Sequence, residues 1–150
     1  MKLITVLFLA CLTVGRVSAG DGPDAPRFTD QKLEVIEANL KVALESASPG
    51  VQASAAQTVR DLKARAPHYE FASLVIPLMR IVKDGNAECG PRVLAALALH
   101  ELKSELGDFP IQRTGRFTED QRLKHVCTWL TYDRLLASGK VEPITDVASK

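Results

Sequence analysis

Five side chains beyond the first twenty residues could ligate a transition metal: His68, His100, His125, Cys89 and Cys127. No two of them stand at the spacing of a zinc pair, so no metal site is expected. Glu34, Glu37, Asp61 and Glu101 have the composition of hydrated helix faces rather than of a paired-carboxylate centre. No glycine-rich phosphate cradle, nucleophile elbow or metalloprotease helix motif occurs. The sequence thus reads as non-enzymatic, with no cofactor. The chemistry it does offer is that of contact. Arg113, Arg116, Arg122 and Lys124 cluster in sequence beside Phe109, Phe117 and Trp129. Arginine and aromatic side chains carry much of the binding energy at protein interfaces. Two readings stand: the cluster meets an acidic peptide or partner protein, or the aromatics pack their own segment inward while the arginines keep it soluble. Arg113, Arg116, Phe117 and Arg122 are the candidate partner-binding residues.

The ends of the chain set the compartment. Lys2 is followed by an apolar run, Leu3 to Val14, and then by Val17-Ser18-Ala19, which supplies small residues for signal-peptidase cleavage before Gly20. The run is too short for a permanent membrane span. Residues 1–19 are therefore expected to be a secretory signal and 20–28 a flexible leader. The protein is expected to be secreted or periplasmic, with no stable membrane insertion after cleavage. Loss of Lys2 and Arg16 turns the formal charge of +1 slightly negative, which excludes a generic nucleic-acid binder. In an oxidising compartment Cys89 and Cys127 are a possible disulfide, or two small buried thiols.

The body of the chain is helical in pattern. Leu33, Ile36, Leu40, Ala43 and Leu44 stripe a first helix from Thr29 or Asp30 to Ser46, with Val35 and Val42 widening the stripe. Ser48-Pro49 opens a second helix to Ala64, with Val51, Ala55, Ala56, Val59 and Leu62 inward. A third runs from Tyr69 or Ser73 to Val82, with Pro77 disturbing its first turns. A fourth opens at Gly90-Pro91 and ends at Gly107. Residues 107–117 are too rich in glycine and proline for a helix and are expected to be an irregular segment. Thr118-Glu119-Asp120-Gln121 has the form of a capping box that starts a final helix to Ala137, and residues 138–150 are expected to be a flexible tail.

The segments 50–63 and 90–103 align without a gap, with identities at the glycine, the paired alanines, a leucine and a lysine. A period of this size is what stacked helix pairs give. The second unit, with Pro77, Asp84, Arg92, Ala95, Ala96 and Leu99 at the matching positions, resembles a HEAT repeat, and the first unit matches more loosely. The resemblance covers about Leu33 to Leu102. It implies an all-α, short right-handed alpha-alpha superhelix of HEAT-like helical hairpins over 29–137, ending in a C-terminal capping helix. It also implies that Asp84 and Arg92 support the stack as structural residues.

HEAT repeats occur in scaffolds and adaptors, so the expected function is a protein-binding or scaffold module whose partner is another protein or itself. An envelope enzyme or cofactor-handling protein related to HEAT-like bilin lyases, or a self-associating envelope component, are the alternatives.

Overall fold

The computed structural model describes residues 28–142. The expected signal, residues 20–27 of the leader and residues 143–150 lie outside the described residues. Those described form six α-helices and no strand, as the all-α reading requires: α1 (Asp30–Leu44), α2 (Pro49–Arg65), α3 (Val75–Lys83), α4 (Cys89–Leu102), α5 (Glu105–Phe117) and α6 (Gln121–Ala137). Phe28, assigned by sequence to the leader, packs against the core.

The helices pack as consecutive pairs, α1 on α2, α3 on α4 and α5 on α6. Across pairs, α1, α3 and α5 lie in one layer and α2, α4 and α6 in another. Both repeats of the paired alanines, Ala55-Ala56 and Ala95-Ala96, are buried together with Val59 and Leu99. A side chain of one carbon lets helix axes approach closely, and α2 and α4 make the most extensive contact in the fold. Val35, Val42 and Val51 are exposed, so the inward stripes of α1 and α2 are narrower than their apolar residues suggest.

Pro77 is the third residue of α3, where a backbone N–H would have no partner within the helix. A 3-10 turn at Ala72–Leu74 leads into it, preceded by Phe71 in the left-handed conformation at φ 51°. α4 stops at Leu102, five residues short of the expected Gly107, because Lys103 turns left-handed at φ 54° and Ser104 takes the cap position of α5.

The segment expected to be irregular, 107–117, is helix α5. Its glycines serve approach rather than turning. A Cβ on Gly115 would stand 3.2 Å from the backbone nitrogen of Thr128 and 3.3 Å from the carbonyl carbon of Cys127, so α5 lies almost backbone to backbone on α6. A Cβ on Gly107 would stand 3.1 Å from Leu99 Cδ2. Pro110 forgoes one helical hydrogen bond, yet it is buried beside Ile111 and Thr114 on the same inward face. Burial of that face outweighs weak local propensity. The Arg134 Nε–H donates to Asp108 Oδ2 at 3.0 Å and pins α5 to α6 from the rim.

Glu37, read by sequence as part of a hydrated face, is buried. Its carboxylate accepts from Tyr69 Oη at 2.8 Å, from the Ser73 amide at 2.9 Å and from Ser73 Oγ at 2.6 Å. Three donors compensate a buried carboxylate and tie α1 to the turn before α3. Tyr69 also meets Phe71 edge to face, with ring centroids 4.7 Å apart.

The packing sets the outcome of two glycine substitutions and of one titration. Gly115→Ala is expected to lower stability in urea unfolding by about 1–2 kcal/mol, overpacking against backbone exceeding the gain in helix propensity. Gly90→Ala, where an added Cβ meets nothing within 4 Å, is expected to be neutral or to stabilise by up to about 1 kcal/mol. The bond to Glu37 holds the Tyr69 phenol protonated and raises its pKa to about 12. Its contribution to stability is present below pH 10 and is lost as pH rises through about 12. In a Tyr132→Phe background the phenolate absorbance should therefore appear near pH 12, and Glu37→Gln should bring it back towards the ordinary tyrosine value.

Candidate functional site

α5 has two faces. The inward one carries Gly107, Pro110, Ile111, Thr114 and Gly115. The outward one carries Phe109, Gln112, Arg113, Arg116 and Phe117, three or four residues apart as one side of a helix demands. These five line a shallow depression of about 280 Å³. Phe109 is 59% exposed and Phe117 76% exposed. Arg113 and Arg116 make no ion pair among the described residues. Of the four candidate contact residues, Arg113, Arg116 and Phe117 thus share one surface. Arg122 lies in the first turn of α6, close enough to Cys89 to act on its thiol. Phe109 completes the surface, and Gln112 is an addition that sequence reasoning did not name. Its register with Phe109 and Arg116 would have shown it, had 107–117 been read as a helix.

A second, larger cleft of about 600 Å³ adjoins this face between the α3–α4 turn and the α5–α6 junction, with Arg113 and Phe117 common to both. Its lining includes Lys83, Arg92, Thr114, Glu119 and Asp120. Arg92 and Asp84, expected to support the stack, make local bonds here. The Arg92 Nε–H donates to the Val82 carbonyl at 3.2 Å, and Asp84 Oδ1 accepts from the Asn86 amide at 2.9 Å. Both bonds close the α3–α4 turn within one pair.

The α6 cap falls two residues later than the expected capping box. Asp120, rather than Thr118, takes the cap position, its Oδ1 accepting from the Leu123 amide at 2.9 Å. Thr118 Oγ1 instead accepts from the Asp120 amide at 3.3 Å. The backbone donor at Leu123, followed by the Cys89 thiol, holds the Asp120 carboxyl below its ordinary range.

Cys89 opens α4, one residue before the expected start at Gly90, and Cys127 is buried in α6. Both are thiols in this structure, and each lies within electrostatic reach of Arg92. Burial pushes the Cys127 thiol up to about 11. Burial first, then the bond to Asp120, raises that of Cys89. His100 Nε2 lies 3.0 Å from Asp133 Oδ2, bridging α4 to α6 beside the Trp129 ring. His68, in the connection after α2, pairs with Asp30 at the start of α1 at 3.5 Å. Among the described residues, no three histidine, cysteine or acidic side chains come together as a metal site, and no helix is long and apolar enough to cross a membrane.

Alkylation of the reduced protein at neutral pH is expected to modify Cys89 first and to reach Cys127 only on unfolding, as mass spectrometry would read. Early modification of Cys127 would show that α5 and α6 separate readily in the native state. Comparison with protein-family models, with curated proteins and with solved structures gives no match.

Proposed function

We propose that this protein is an exported, non-enzymatic helical module of HEAT-like construction that binds another protein through the outer face of α5. The observation that carries the reading is the exposure of Phe109 and Phe117 on one helix face, with Arg113 and Arg116 between them and without acidic partners. A helix that needed only solubility would place short polar groups there. Two large aromatic rings with two planar cations form instead the kind of surface whose burial is worth most at an interface.

The chemistry selects the partner: a segment with acidic groups for Arg113 and Arg116 and apolar side chains to cover the rings. A two-fold contact between copies of this face would set the arginines of one copy near those of the other, which disfavours self-association here. The two layers of paired helices, and the HEAT-like positions of Pro77, Asp84, Arg92, Ala95, Ala96 and Leu99, support the repeat reading. In that reading α5 and α6 close the end of the stack. Export rests on the signal-like segment at residues 1–19, and the protein would act outside the cytoplasm.

The test is crosslinking of the tagged protein in its native cells, identification of what it captures, and measurement of binding to the purified partner. A dominant acidic partner should lose affinity by about thirtyfold or more on Phe117→Ala combined with Arg116→Glu, with an unchanged helical circular dichroism spectrum and melting temperature. Recovery of the protein alone, or a partner whose binding survives that pair of substitutions, defeats the proposal.

A further inference from the structure

Arg92 carries five N–H donors and retains only 9% of its surface. One donor, on Nε, is spent on the Val82 carbonyl. Its terminal nitrogens meet no acceptor among the described residues, and no carboxylate comes within ion-pair distance of it. The side chain lines the larger cleft. Asp120 is the carboxylate whose charge Arg92 influences. Its oxygens, however, are engaged by the Leu123 amide and the Cys89 thiol rather than by the guanidinium.

Arg92 also stands in the first turns of α4, where the aligned peptide dipoles disfavour a cation, and within electrostatic reach of the α6 cap. A guanidinium buried over most of its surface, whose unspent terminal nitrogens still reach the water of the cleft, can offer them to an anion that enters it.

We propose that this cleft is an oxyanion-binding site, with Arg92 as its fork and Lys83 and Arg113 as flanking cations. Three cations face two carboxylates in the lining, Glu119 and Asp120, one of them already turned to its helix cap. Thr118 accepts through its oxygen from the Asp120 amide and keeps its own O–H to donate. The planar fork fits two oxygens of a carboxylate or phosphate side by side. The group bound is either a free small anion or the acidic side chain of a bound protein. The site does not depend on the α5 surface having a partner, although Arg113 belongs to both.

The probe is inorganic phosphate, followed by amide and Arg Nε–H resonances of the purified protein at constant ionic strength set with sodium chloride. Saturable shifts at Arg92, Thr118 and Asp120 are expected, with a dissociation constant on the order of 1 mM. Arg92→Lys, which keeps the charge and removes the fork, should weaken binding about tenfold. Should that variant unfold, Lys83→Gln with Arg113→Gln on the exposed rim should weaken it about fivefold without changing the melting temperature.

Shifts that chloride reproduces at equal ionic strength, or an affinity unmoved by the Lys83 and Arg113 substitutions, overturn the site. A short glutamate-containing peptide in competition then assigns the source. Displacement at lower concentration than phosphate identifies a protein side chain, and weaker displacement a free anion.

Discussion

Helix packing in this protein depends on residues that keep almost nothing between neighbouring backbones. Ala55, Ala56, Ala95 and Ala96 are buried in α2 and α4, and Gly107 and Gly115 admit Leu99 and the α6 backbone. Dispersion attraction falls steeply with separation, so helices at such range gain contact along their length without large side chains. The large residues of the core, Phe71, Leu78, Leu99 and Leu123 among them, fill the remaining volume between the layers. The polar braces, Glu37 with Tyr69 and Ser73, and Asp108 with Arg134, then fix how the elements meet.

That economy shapes the surface as well. Because α5 meets its neighbours through glycine, proline, isoleucine and threonine, its large side chains are left for solvent. The start of α6 lies beside the start of α4, so that Arg92 is largely buried while its terminal nitrogens face the cleft without a protein acceptor. The exposed aromatic face and the cationic cleft are therefore two products of one packing arrangement, and they share Arg113 and Phe117.

How legible this was in the sequence varied with the kind of signal. The alternation of apolar residues in α1, the Ser48-Pro49 start of α2 and the duplicated alanines marked helices because each is a local cue. Glycine and proline in 107–117 are also local cues, and they pointed to a loop. Their true role is defined by Leu99, Cys127 and Thr128, which the sequence does not place beside them. Glu37 misled for the same reason, since its donors lie more than thirty positions downstream. The contact residues Arg113, Arg116 and Phe117 were visible by type. Their common face depended on a helix that composition argued against, and the burial of Arg92 required three dimensions.

The division of α5 into a face of small residues and a face of large ones has a consequence for descent. Side chains on the outward face touch little that holds the fold together, so selection can rewrite them with small loss of stability. Gly115, set against the α6 backbone, is by contrast costly to replace. Diverging lineages of such a protein would keep Gly115 while exchanging the outward residues, changing what the molecule recognises without rebuilding the scaffold that presents it.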